Sequence, residues 1–430
     1  MHQALRTLAA PVLAVVVLGG NAPTESGTWP QWRGPTRDGQ VPAASWPDKL
    51  DAGHLQQSWR VELGPSYSGP ILDDHRVYTT ETIEKTTERV TAFDRRTGKP
   101  LWRAQWEGTV NVPFFAKSNG DWIRSTPALD GDRLYVAGMR DVLVCLDSRD
   151  GRQVWRQDFV QTLGSPVPSF GFVCSPLVDG DSVYVQAGAS LLRLDKMTGQ
   201  RIWRTLKDQG GLWGGVFSSP IFAVLAGQRQ LIVQTRDKLA GVDPADGTVL
   251  WEQRVEAFRG MNILTPVALR DTLFTSTYGG RTIGFNVTHS DGKWSVTEAW
   301  RHKAQGYMST PVVIDGAAYL HLRSQRLMAI DVETGREWWT SDASFGKYWS
   351  LIASGDRILA LDQRGVLLAL RANKERLEIL DQRQLADAET WAHLAVAGDQ
   401  LFVRELQALS AWFWCHDTAS PPGLDKVPGS

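Results

Sequence analysis

The sequence predicts an all-β fold built from repeated four-stranded units in a radial or solenoid array, and three observations carry that prediction. Residues 175–203 read as strands over 175–178, 183–185 and 191–194, with a fourth opening at Arg201. They are divided by the turns Asp179-Gly180-Asp181 and Asp195-Lys196-Met197-Thr198-Gly199. Asp-Gly and Thr-Gly pairs between alternating apolar runs are strong hairpin signals. The same order recurs. Ser68-Gly69-Pro70 leads to Thr97-Gly98 and Trp102, and Ser125-Thr126-Pro127 leads to Asp150-Gly151 and Trp155. Ser218-Ser219-Pro220 leads to Asp246-Gly247 and Trp251, and Thr265-Pro266 leads to Asp291-Gly292 and Trp300. Ser309-Thr310-Pro311 leads to Thr334-Gly335 and Trp338, and two decayed copies open at Trp349 and Trp391, making eight units. A unit of this length cannot bury both its faces alone, so neighbours must stack.

The mark Leu-Asp-x-x-Thr-Gly-x-x-x-Trp resembles the pyrroloquinoline-quinone (PQQ) repeat, while the Gly-His and Trp-Asp signatures of WD40 repeats are missing. That family builds β-propellers. The resemblance, running from Ser58 to Trp412, therefore implies an eight-bladed β-propeller of four-stranded antiparallel blades.

Taken in order, residues 1–22 read as a secretory signal, with Arg6 before the apolar run from Leu8 to Leu18 and Gly20-Asn21-Ala22 at the expected cut. No Cys follows that run to carry a lipid anchor. Residues 23–55 form a Trp/Pro/Gly-rich leader (Trp29-Pro30-Gln31-Trp32-Arg33-Gly34-Pro35, then Trp46-Pro47), expected to cover a propeller face or the hole near the ring closure. Residues 56–415 form the propeller, and residues 416–430 a flexible tail. Gln57-Ser58-Trp59-Arg60-Val61 copies a fourth strand, whereas the last unit stops after its third strand at 408–414. Residues 57–62 are therefore expected to complete the last blade, closing the ring with strands from both termini and removing exposed edges. Cys145, Cys174 and Cys415 lie far apart without metal-ligand spacing; Cys145 and Cys174, in consecutive repeats, could pair only if geometry allows, and buried free thiols are the expectation.

A net charge of −1 gives no basic patch for nucleic acid, and no transmembrane span is expected in the mature chain. The short Asp-Gly and Thr-Gly turns share one face. The other carries the loops between second and third strands and the blade-to-blade connections, where the sequence turns irregular. Rigid scaffolds place function on such loops. The residues expected to form a binding face there are Trp122, Arg140, Phe172, Trp213, Phe217, Arg236, Asp237, Asn262, Arg281, Tyr307, Arg323, Trp349 and Arg364. Aromatic walls and guanidinium groups suit a planar anionic ligand, a peptide or an extended strand. The arginines equally suit inter-blade ion pairs, and the aromatics an axial plug.

Two function classes follow. PQQ-dependent alcohol and sugar dehydrogenases need a calcium ion held by Glu, Asn and Asp, a base and often adjacent half-cystines; this chain has no vicinal Cys pair and no Cys-x-x-Cys-His. No Ser-His-Asp order, HExxH or phosphate loop appears, and His321 stands alone at a strand end. The second class resembles the BamB-type component of the outer-membrane β-barrel assembly machinery in blade number, length and export signal. It implies an exported, monomeric, non-catalytic scaffold binding a protein or peptide in the cell envelope. The expectation is this scaffold without cofactor, with a PQQ- and calcium-dependent quinoprotein as the alternative.

Overall fold

The computed structural model describes residues 27–415, apart from 43, 45, 109, 115, 116, 118, 119 and 209–214; the expected signal and tail lie outside these residues. Eight four-stranded antiparallel sheets form the eight-bladed propeller. Blade 3 shows the plan, with strands Leu177–Asp179, Ser182–Ala187, Ser190–Asp195 and Arg201–Thr205 in consecutive order. Blades 1, 2 and 4–7 repeat it, opening at Ile71–Leu72, Ala128–Asp130, Ile221–Leu225, Val267–Leu269, Val312–Ile314 and Trp349–Ser354. Blade 8 takes Ala395–Ala397, Gln400–Glu405 and Ala408–Trp414 from one end of the chain and Leu55–Glu62 from the other. Leu55 faces Trp414 and Glu62 faces Ala408 across that antiparallel seam.

The repeat motif has a mechanical reason. In five blades the fourth-strand indole lies on the turn glycine of the next blade, where a Cβ would come within 3.0 Å of the ring: Trp59 on Gly98, Trp102 on Gly151, Trp155 on Gly199, Trp203 on Gly247 and Trp300 on Gly335, whereas Trp251 donates to Gln230 of its own blade. These glycines also have φ between 70° and 82°, so a side chain is excluded twice over. The indole N–H then donates to a carbonyl of that same turn region, as Trp102 does to Ser148, Trp155 to Lys196 and Trp203 to Pro244. In blade 6 this position falls to Trp339, which pairs with Ala329 and donates to Asn373. The expected Trp338 is one residue out of register and lies instead under Arg336.

A second ring lies at the axis. The amides of Gly69, Thr126, Ser175, Ser219 and Thr265 donate in turn to the hydroxyls of Thr126, Ser175, Ser219, Thr265 and Thr310, each hydroxyl belonging to the next blade. The recurring Ser/Thr-Pro is therefore an inter-blade strap that satisfies buried N–H groups.

The leader enters the ring. Trp29 pairs with Leu72, Leu129 donates to Pro30, and Gln40 bridges Ala353, so it binds the inner edge strands of blades 1, 2 and 7. Trp29, Trp46 and Leu50 join the core. Two guanidinium groups tie it further. Arg33 donates to Thr310 and Pro311, and Arg37 to Ser175 and Pro176. Cys145 and Cys174 are buried free thiols and Cys415 a partly buried one.

Candidate functional site at the axial mouth

Strand one of each blade runs away from the connection face, so the residue just before the Ser/Thr strap points into the axis at that face. Eight equivalents converge there: Tyr67, Arg124, Val173, Phe217, Ile263, Met308, Tyr348 and Trp391. With Phe170, Met261, Tyr307, His393 and the hydroxyl ring they enclose about 230 Å³, with Trp32 of the leader also contributing to the lining. The wall is a chain of rings. Tyr348 stacks on Trp391 at 6.1 Å, Trp391 meets Tyr67 at 5.9 Å, and the Arg124 guanidinium lies over Tyr67 at 5.1 Å.

The pocket is electropositive. Arg124 donates to the Gly120 carbonyl at 2.6 Å, its Nε–H is buried without an acceptor, and burial lowers its pKa. Arg33 and Arg37 lie 5.6 and 5.4 Å from the Trp32 ring, and burial brings both down to about 10, which still leaves them charged at neutral pH. His393 edges onto Trp32; burial and then Arg33 push it down to about 3, so it is neutral. No Asp or Glu lines the pocket among the described residues. Two acids stand near it: Asp121, which accepts from the Val112 amide and acts on Arg124, and the exposed Glu389, which accepts from Gln363 and Trp391 and acts on Tyr67.

Of the face residues expected from sequence, Phe217 and Tyr307 line this mouth. Trp122 stands beside Tyr67, and Arg323 lies 4.6 Å over Tyr278, whose ring is tilted against Tyr307 at 4.8 Å. Three residues are buried instead of presented. Phe172 packs on Phe159 in the core between blades 2 and 3. Trp349 lies between His321 and Phe345. The amide of Asn262 donates to the Thr235 and Arg236 carbonyls, latching one connection to a neighbouring loop. Arg236 pairs with Asp208, and Arg364 with Asp362. Arg140, Asp237 and Arg281 are exposed on outer loops away from the mouth. Trp213 lies outside the described residues. His321 is fully buried and pushed down to about 4 by desolvation.

The individual roles of Tyr67, Arg124 and Trp391 escaped the sequence reading. The signal that finds them is positional: each stands at the same place before the strap in its own unit. The residues present do not match a calcium-bound quinone. Calcium takes six to eight oxygens, carboxylates prominent among them. Here the described lining offers strap hydroxyls and the phenols of Tyr67, Tyr307 and Tyr348 but no carboxylate, and among the described residues no group of three His, Cys, Asp or Glu comes together.

Fold and mouth define the class: a PQQ-like β-propeller with an aromatic, cationic axial pocket. Residues 86–341 match the family model described as outer membrane protein assembly factor BamB, and the chain belongs to that family. It is 23% identical over 357 residues to the BamB of Moranella endobia, covering 77% of this chain and 84% of that one. The BamB of Yersinia pestis is 24% identical over 264 residues, 57% of this chain and 63% of that protein, a little under two thirds of its length. The crystal structure of BamB from Moraxella catarrhalis superposes with a TM-score of 0.60 at 16% identity, over 85% of this chain and 99% of that one. The quinohemoprotein alcohol dehydrogenase of Comamonas testosteroni gives 0.61 at 14%, over 95% and 83%. At such identities the two structures speak to the fold alone.

Proposed function

We propose that this chain is a non-catalytic scaffold of outer-membrane protein assembly that holds a protein or peptide partner on its connection face. It acts as a monomer on the periplasmic side after export by residues 1–22. Family membership supports the assembly role. The observation that carries the face is the asymmetry of the ring. One side carries short repeated turns with the leader laid against them. The other carries the open aromatic mouth and the exposed arginines Arg140, Arg281 and Arg323. A surface of rigid aromatics and arginine is the composition enriched at protein interfaces.

The test places a photo-crosslinking residue at Arg140 or Arg281, and separately at Asp181 or Gly316 on the turn face. Each is mixed with purified subunits of the barrel-assembly machinery. Adducts from the connection face alone are expected. Adducts from the turn face alone, or from neither, would defeat this reading.

A further inference from the structure

The axial mouth holds a buried cation that makes no salt bridge among the described residues, with Asp121 acting on it only from beyond ion-pair distance. Burying a guanidinium without a counter-charge is costly. Yet among the described residues Arg124 has no carboxylate within ion-pair distance and an orphaned Nε–H, and Arg33 and Arg37 add two buried positive charges next to the leader's Trp32. None of the three forms a salt bridge among the described residues, although Asp38 acts on Arg33 and Asp121 on Arg124 at longer range. Arg33 and Arg37 serve carbonyls of the inner strands, whereas Arg124 makes one such bond, to Gly120. Around Arg124 stand Tyr67, Trp391 and Tyr348 in a continuous arc, with Phe217 and Met308 also lining the cavity.

We propose that this pocket is a binding site for a small amphipathic monoanion: a flat aromatic body between the rings and one carboxylate on Arg124. The volume of about 230 Å³ sets the scale at one or two fused rings. The charge sign is set by Arg124 in the lining, with Arg33 and Arg37 beside Trp32 and no acid among the described lining residues. The aromatic body is set by the arc, since ring faces take flat apolar groups by stacking. Both halves of the ligand are thus specified by different side chains. The site stands apart from the scaffold reading, because a partner can dock on the rim loops whether or not the pocket is filled.

The probe is 2-naphthoate, with the neutral 2-naphthamide as its control, titrated into the full chain by calorimetry. One saturable site per chain is expected, with the amide bound about tenfold more weakly or worse for lack of the charge-assisted pair. Arg124→Gln should cost the naphthoate about tenfold and leave the amide within about twofold, while Trp391→Ala weakens both. Arg124→Lys keeps charge without the planar fork and should fall between wild type and Arg124→Gln. Circular dichroism and urea midpoints confirm that each variant folds. Two results would overturn the site: no saturable binding to wild type, or equal loss of acid and amide in Arg124→Gln.

Discussion

Asp141 shows what a single residue step does on a turn. It sits at φ 61°, a left-handed conformation that Asp and Asn tolerate better than most residues. Its neighbour Arg140 points to solvent, while the Asp141 carboxylate turns inward and accepts the Gly188 amide of the next blade at 2.8 Å. From sequence both belong to one charged loop at the mouth, because alternation in a turn does not tell which of two neighbours faces in. Burial raises the Asp141 pKa to about 7, against the opposing Gly188 hydrogen bond, and Glu88 is likewise raised to about 7 beneath Trp106. A folded pKa above the unfolded one means that the contribution to stability is complete below the unfolded carboxylate range and fades as pH rises through about 7. By the usual conversion of a pKa shift, ionising Asp141 costs up to about 4 kcal/mol above that point. Asp141→Asn keeps the backbone conformation and the acceptor but cannot ionise. Thermal unfolding should place it near wild type at pH 5 and above wild type at pH 8. An unchanged pH dependence would show that Asp141 is ionised throughout.

At the scale of the element, two inter-blade devices differ in how openly the sequence states them. The tryptophan-on-glycine contact is legible because an indole four residues after a turn glycine is a rare pattern repeated many times; Trp339 obeys that spacing from Gly335 and Trp338 does not. The hydroxyl strap was visible only as Ser/Thr before Pro, which reads as loop, since its acceptor belongs to a unit some fifty residues away. It is nonetheless a strong strut. Thr265→Val keeps the shape but removes the acceptor for the buried Ser219 amide, and an orphaned amide costs about 1–3 kcal/mol. Urea unfolding should show that loss, with Thr265→Ser restoring most of it. Arg236 is the contrast. It pairs with Asp208 near the surface, so Arg236→Ala combined with Arg323→Ala should lower stability by less than about 1 kcal/mol. A larger drop would make these arginines inter-blade struts. The sequence left these arginines open between a binding face and inter-blade ion pairs, because a pairing partner such as Asp208 comes from a different stretch of chain.

At the scale of the molecule, closure was readable and the mouth only in part, through Phe217 and Tyr307. Trp59-Arg60 repeats the Trp155-Arg156 pattern, so a spare fourth strand at one end and a missing one at the other could be matched on paper. The pocket is made by residues spread from Trp32 to His393, and only the circle brings them together. The leader's task was half legible: its tryptophans were expected to cover a face or the hole, but Arg33 and Arg37 threading to inner-strand carbonyls needed the ring to exist. The two N-terminal segments should therefore fail differently when removed. A chain starting at residue 54 loses Trp29, Trp46 and Leu50 from the core but keeps Leu55–Glu62 on blade 8. It should elute as the full chain does, with a lower urea midpoint. A chain starting at residue 64 leaves Ala408–Trp414, with its Ala, Leu, Trp and Phe, as an unpaired edge. Long apolar edges template association, so this chain should elute as aggregates in size-exclusion chromatography, and a synthetic peptide of residues 54–64 should return part of it to the monomer peak. A monomeric start-64 chain with an unshifted urea midpoint would mean that the ring stays closed without its terminal strand. The pairing of Leu55 through Glu62 would then be a consequence of the fold and not its lock.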